Sequence, residues 1–269
     1  MKAYYNEFDP KAAAWLRQLI KDGNITQGEV DERSIKDVET RDLRGFDRVH
    51  FFAGIGTWDY CLSQAGWGGR PIWTASLPCQ PFSAAGKGLG KSDERHLLPH
   101  FLELVKECKP ATILGEQVAA AIKHGWLDDL YAEMEACDYA IGSAVIGAHS
   151  VNSPHIRQRL YWVADTSITG KTESGYRQSH SERVANDAFG DCADDIEWVY
   201  CRDNKYRPVK PGIQPLVDGT ARGMVHSSDS SEPINANATQ EARSMRLKGY
   251  GNAIQAQTAI AFIRAVMTS

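Results

Sequence analysis

The stretch Val49 to Leu77, VHFFAGIGTWDYCLSQAGWGGRPIWTASL, reads as a strand, a glycine turn, a helix and a second strand. Val49 to Ala53 is a short apolar run that ends in Gly54-Ile55-Gly56, Trp58 to Ala65 is closed by Gly66 in the manner of a helix, and Pro71 to Leu77 is apolar again. A strand that turns through glycines into a helix and then into another strand is the unit of a parallel sheet. The flanks repeat the alternation. Upstream, residues 2–8 (KAYYNEF) predict a short strand, Pro10 stands where a helix can start, and Ala12 to Ile20 predict a helix closed by Gly23. Downstream, Phe101 to Cys108 is helical and stops before Pro110, Ala111 to Leu114 is a strand, and Trp126 to Cys137 is a helix. Tyr139 to Ile146 and Leu160 to Ala164 are strands. The expectation is an α/β fold with a mainly parallel sheet.

The apolar periodicity fades after Asp165 and stays weak from Thr166 to about Lys248, with a polar loop over His226 to Thr239. It returns in Ala253 to Met267, where Ile254, Ala261, Phe262 and Val266 are spaced for one face of an amphipathic helix. This predicts a main domain over 1–165, completed by 249–269, with a smaller region over 166–248.

The chain has 269 residues, 42% hydrophobic and 24% charged, an ordinary balance for one large domain. No apolar run approaches the ~20 residues of a membrane span. The N-terminus MKAYYNEFDP lacks an apolar signal core, so a cytoplasmic protein is expected. The six cysteines form no C-x-x-C pair and are expected as reduced thiols, most of them buried. Cys192 and Cys201 with His180 or His226 match no common zinc spacing, so no metal is expected. A net charge of −4 gives no sign of a nucleic-acid partner, yet residues 198–269 alone hold nine basic and five acidic residues.

Three motifs carry chemistry. Pro78-Cys79-Gln80-Pro81-Phe82-Ser83 follows a predicted strand and leads into a Gly/Lys-rich loop ending near Arg95, which suits an exposed nucleophile better than a core thiol. Phe52-Ala53-Gly54-Ile55-Gly56 turns a strand into a helix, where glycines let backbone approach a nucleotide-like ligand. Gly115-Glu116-Gln117-Val118 sets a carboxylate at the carboxyl end of a strand, where α/β sites form.

Together these residues resemble the DNA (cytosine-5)-methyltransferase family. Pro78-Cys79-Gln80 matches its nucleophile motif, and Glu116-Gln117-Val118 its glutamate motif with Gln for Asn. His155-Ile156-Arg157-Gln158-Arg159 matches its arginine motif with His for Gln, and Gly251-Asn252-Ala253 its C-terminal motif. Only 22 residues separate Gly56 from Cys79, too few for the strand–helix units that the family carries there. Those units resemble the N-terminus instead. Glu7-Phe8-Asp9 resembles the ribose-binding strand, and Ser34-Ile35-Lys36-Asp37-Val38 the next motif with Ser for Asp. The chain therefore resembles a circularly permuted member, of a kind that suits a phage, prophage or restriction-modification setting. The rival account is deletion of those units, with Glu7 an ordinary surface acid.

The resemblance implies a Rossmann-like, S-adenosylmethionine-dependent methyltransferase fold with a small target-recognition region. It implies Cys79 as nucleophile at cytosine carbon 6, Glu116 as proton donor to ring nitrogen 3, and Arg159 as the contact to the base carbonyl; Arg157 either orients Glu116 or packs structurally. The cofactor wall would comprise Glu7, Phe8, Ser34, Ile35, Phe52, Gly54, Ile55, Gly56, Pro78, Leu97, Asn252 and Ala253. Double-stranded DNA would meet Gln80, Ser83, Lys87, Lys91 and Arg95, and Arg202, Lys205 and Arg207 in the smaller region. A monomer, with or without a cognate restriction enzyme, is expected. Two alternatives stay open: a different one-carbon donor or an RNA substrate, and a DNA-binding relic without activity.

Overall fold

A computed structural model describes residues 1–78, 97–151, 153, 155–166, 197–200, 206–209, 249 and 252–268. In chain order these form β1 (Ala3–Asn6), α1 (Pro10–Lys21), β2 (Gly28–Asp31), β3 (Arg48–Phe51), α2 (Thr57–Ala65) and β4 (Ile72–Ser76). There follow α3 (Leu98–Cys108), β5 (Thr112–Val118), α4 (Trp126–Glu135), β6 (Ala140–Ile146), β7 (Arg159–Asp165), β8 (Glu197–Tyr200), β9 (Tyr206–Val209) and α5 (Ala256–Thr268). One sheet runs in the order β2-β1-β3-β4-β5-β7-β6. Its neighbours from β2 to β5 are parallel, and β7 runs antiparallel to both β5 and β6. The strands β8 and β9 form a separate antiparallel ladder. No described helix is long and apolar enough to cross a membrane.

Strand alternation sends side chains to both faces, and helices cover both. Phe51, Trp73, Ile113 and Trp162 pack against Phe101 of α3 and Leu130 of α4. On the other face, Leu114 and Tyr161 meet Trp58 of α2 and Phe262 of α5, while Tyr5 meets Leu16 of α1. Gly115 is required by this packing: a Cβ there would lie 2.0 Å from the Trp162 ring. Local signals set the helix ends. The Asp9 carboxylate accepts the Lys11 and Ala12 amides ahead of Pro10, capping α1. Gly56 and Gly66, both left-handed, bracket α2.

Among the boundaries that differ from expectation, three bear on the site or the core. Strand β5 continues past Leu114 to Val118, because pairing with β7 runs on to Val118 opposite Arg159. Glu116 therefore lies within the strand, not after it. Helix α5 starts at Ala256 because Gln255 Oε1 takes the Thr258 amide and caps it there. Helix α4 ends at Glu135, two residues before Cys137. Cys61 and Cys137 are buried thiols. Cys79, Cys192 and Cys201 lie outside the described residues, as does the region 166–248 apart from Thr166 and the β8–β9 ladder.

A buried ionic network fixes α2 on the sheet. Arg48 Nη1 lies 2.7 Å from Asp59 Oδ1, with both side chains almost fully buried. Thr26 N–H donates to Asp59 Oδ2 at 2.7 Å, and His50 bridges Asp59 (3.2 Å) and Thr74 Oγ1 (2.8 Å). Arg48 also donates to Ser63 Oγ and the Gly68 carbonyl. Burial opposes ionisation of Asp59, but His50 and Arg48 outweigh it and hold the carboxyl well below the usual range. Asp59→Asn leaves Arg48 buried without its counter-charge and is expected to cost about 3–5 kcal/mol in denaturant unfolding. The lowered pKa means that this stabilisation is present above the ordinary carboxylate pKa of about 3.9 and is lost as pH falls towards the folded value. The wild-type stability should therefore drop on acidification below about pH 4, and the Asp59→Asn variant should show a shallower acid limb.

Candidate active site at the carboxyl edge of the sheet

Parallel strands deliver their carboxyl ends to one edge, and β7, running the other way, delivers its first residue there. Arg159 opens β7 opposite Val118, and Glu116 pairs with Tyr161. Glu116 and Arg159 thus lie diagonally on one face, and Arg159 Nε meets Glu116 Oε1 at 2.8 Å. Glu116 is only 8% exposed. Burial raises its pKa, while the nearby Arg159 and Arg157 charges pull it down, and burial prevails. The result is a carboxyl with a raised pKa beside a guanidinium that keeps part of its surface open, with 23% of the side chain exposed.

Arg157 adopts a left-handed backbone, φ 30°, and its Nη2 donates to the Ala253 carbonyl at 2.5 Å. Nearby, Gln255 Nε2 donates to Ser153 Oγ. The arginine segment is therefore stitched to the chain that precedes α5. Ala253 in turn packs on Ile55 and Trp15. Asn252 is exposed.

The glycine turn follows β3. Phe52, Gly54 and Gly56 all have positive φ, of 54°, 56° and 74°. That is a strained choice for Phe52, whose ring packs against the core. At Gly56 a Cβ would also press on Ile25 and Leu16, at 3.0 and 3.1 Å. Gly54 N–H donates to Glu7 Oε2 at 2.7 Å, and Asp9 N–H donates to Glu7 Oε1 at 2.9 Å. Glu7 thereby joins the end of β1 to the turn after β3. Phe8 is 73% exposed and so lies outside the core.

Ile35 is buried in the core, and Ser34 Oγ accepts the Lys36 amide to cap the turn Ile35–Asp37. Pro78 and Leu97 are half-buried. Cys79, Gln80, Ser83, Lys87, Lys91, Arg95, Arg202 and Lys205 lie outside the described residues, and Arg207 is described only as a backbone position in β9.

Two groups escaped the sequence reading. Thr57, the first residue of α2, has a buried hydroxyl with no partner among the described residues. Gln117 has a buried side-chain nitrogen in the same condition. Thr57 follows directly on the glycine turn and could have been found from that position, because a hydroxyl at a helix start meets whatever binds there. Gln117 was visible only as a departure from the usual Asn. A nucleoside-bearing cofactor with a charged end fits what the edge offers: an exposed ring at Phe8, a carboxylate at Glu7, and an orphan hydroxyl at the start of α2.

Comparison with known proteins gives four findings. The model of the C-5 cytosine-specific DNA methylase family matches residues 69–208, just over half of the chain. Type II methyltransferase M.NgoMIV of Neisseria gonorrhoeae is 33% identical over 112 residues, which is 42% of this chain and 27% of that protein. Type II methyltransferase M.NgoBV of the same organism is 26% identical over 194 residues, covering 68% of this chain and 38% of the relative. The matches thus span well under half the length of these relatives. In fold, the chain resembles the Dnmt2 methyltransferase of S. pombe, with a TM-score of 0.51 at 13% identity, covering all of this chain and 98% of that one. With a buried glutamate paired to an arginine at the sheet edge and the family match spanning that pair, the chain belongs to the C-5 cytosine-specific DNA methylase family.

Proposed function

We propose that the chain methylates carbon 5 of cytosine in duplex DNA with S-adenosylmethionine as donor. The observation that carries this is the Glu116–Arg159 pair, a carboxyl whose burial favours its protonated form beside an arginine at the carboxyl edge of the sheet. Cytosine carbon 5 is a weak nucleophile, and a thiolate added at carbon 6 makes it an enamine-like one. Cys79 supplies that thiolate. Glu116 gives a proton to ring nitrogen 3 as the adduct forms, which removes the charge that would otherwise build on the ring. Arg159 holds the Glu116 carboxyl and meets the base carbonyl. Arg157, bonded to the Ala253 carbonyl, keeps the arginine segment against the cofactor wall. Loss of the carbon 5 proton then lets Cys79 leave.

The cofactor supplies an electrophilic methyl group. Glu7 would hold its ribose hydroxyls, Phe8 would stack on its adenine, and Gly54, Gly56 and Thr57 would meet its charged end. The base must leave the duplex to reach this edge. The basic residues of the loop after Cys79 and of the β8–β9 region are the candidates for phosphate contacts.

The strand order supports reading the chain as circularly permuted. A doubly wound sheet numbered along its chain usually runs 3-2-1-4-5. Here the corresponding strands run β2-β1-β3-β4-β5, the same arrangement with the strand that usually comes first now third in sequence. The Glu7–Gly54 hydrogen bond supports it too, since it places Glu7 beside the glycine turn. The Ser34 capping bond accounts for serine at that position without a different donor.

Incubation with labelled S-adenosylmethionine and mixed-sequence duplex DNA is expected to put label on cytosine, and Cys79→Ser is expected to abolish it. No transfer to any duplex by folded protein would contradict the reading. The pH profile of single-turnover transfer should fall on its alkaline side, because rising pH removes the Glu116 proton that the step needs. Since burial raises that pKa, the fall should begin above the usual carboxylate range. Glu116→Gln should lower the rate by about 100-fold and erase that limb.

A further inference from the structure

Glu116 stands in a row across the sheet, between Ser76 of β4 and Tyr161 of β7. Ser76 and Glu116 are direct partners at the last register position of the parallel β4–β5 pair. Neighbouring strands lie about 4.8 Å apart, and side chains alternate between the two faces along each strand. Packing shows which face these two residues take. Ala75 and Leu77, on either side of Ser76, belong to the core beneath α3 and α4, so Ser76 points the other way. Leu114, two residues before Glu116, and Tyr161 opposite it pack with Trp58 of α2. Ser76 and Glu116 therefore share the α2 face at the carboxyl edge.

The Ser76 hydroxyl is oriented from α2. Trp58 Nε1 donates to Ser76 Oγ at 2.9 Å, and Trp58 is buried. An indole nitrogen only donates, so Ser76 accepts in this bond and its own O–H is directed elsewhere. On the other side of the row, Arg159 Nε meets Glu116 Oε1. A carboxyl gains acceptor capacity when it ionises, with about four lone-pair sites on its two oxygens, and a single arginine bond does not fill them. An oriented hydroxyl thus neighbours a carboxyl that takes up further donors once its proton leaves.

We propose that Ser76 is a positioning residue for the proton donor of methyl transfer, its O–H turning to the Glu116 carboxylate as that group gives its proton to the base. This rests on the function proposed above, in which Glu116 protonates ring nitrogen 3. No covalent bond changes at Ser76. A donor that favours the ionised form makes Glu116 a better acid at the moment of transfer and offsets part of the burial that opposes its charge. The other groups around Glu116 keep their charge while it titrates. Arg159 and Arg157 face it from β7 and the segment before β7, and arginines stay charged. Tyr161 of β7 and Cys61 of α2 share its side of the sheet, and burial raises both, so they stay neutral. Helix α5 packs on this side with Phe262 and Ile263.

The test compares the full wild-type chain with Ser76→Ala and Ser76→Thr. In single-turnover methyl transfer to a duplex that accepts label, Ser76→Ala is expected to lower the plateau rate on the order of 10-fold and to move the alkaline limb up by about one pH unit. The sign follows from the lost donor, because a carboxyl deprived of a hydrogen bond to its ionised form keeps its proton to higher pH. Ser76→Thr, which retains the hydroxyl, should restore both rate and limb, and cofactor affinity should stay within about twofold throughout. A slower rate with the limb unmoved would overturn the proposal, since displacement of Trp58 alone produces that. Wild-type rate and limb in Ser76→Ala would overturn it too. A second measurement needs no turnover. The Glu116 side-chain carboxyl can be titrated by carbon-13 NMR in the free protein, its signal identified by loss in Glu116→Gln. Ser76→Ala should raise the midpoint by about one unit, and an unchanged midpoint would overturn the proposal. Wild-type protein that transfers no label contradicts the proposed function instead, while this titration still decides on Ser76, so the two failures are distinguishable.

Discussion

Asp59 is a carboxylate with no access to water, and its ligands come from distant parts of the chain. Arg48 and His50 reach it from β3, and the Thr26 amide from the segment before β2. Desolvating an acid and a guanidinium is costly, and only a dense set of short hydrogen bonds offsets it. The consequence is positional. Helix α2 is held against β3 and β4, so the glycine turn at its start has one place to be. Thr57 and Gly54 inherit that place, and Glu7 completes it from the neighbouring strand.

The site's second half uses the same physics with a different balance. Glu116 is buried almost as deeply as Asp59, but Arg159 beside it keeps some exposure and makes one ion pair. Burial therefore prevails at Glu116, and neighbouring charge prevails at Asp59. One carboxyl is held ionised within the fold, and the other has its pKa pushed upwards. Arg157 and Ser153 bind the strand that offers Arg159 to the segment before α5, so the two halves of the edge meet at Ala253 and Ile55.

Much of this was legible in the chain. The run from Val49 to Leu77 predicted strand, turn, helix and strand, and the structure has β3, α2 and β4 there. Glycine and proline mark those boundaries through backbone constraints that act locally. The length of β5 was not legible, because Gly115-Glu116-Gln117 looks polar and only pairing with β7 makes it strand. The start of α5 was hidden for a related reason, since a glutamine caps it in place of the usual short side chains. The network around Asp59 left no sequence signal, as its members lie scattered between Thr26 and Thr74 and acquire meaning only when the sheet brings them together.

The central claim is that a cysteine adds to a cytosine while Glu116 protonates the ring. Intact-protein mass spectrometry tests it most directly, after incubation with S-adenosylmethionine and duplex DNA in which cytosines are replaced by 5-fluorocytosine. Fluorine at carbon 5 cannot leave as a proton does, so the adduct should persist. The account predicts a covalent protein–DNA species whose cross-linked peptide contains Cys79 and whose base carries an added methyl group. Folded protein that binds the duplex and forms no such species would contradict it.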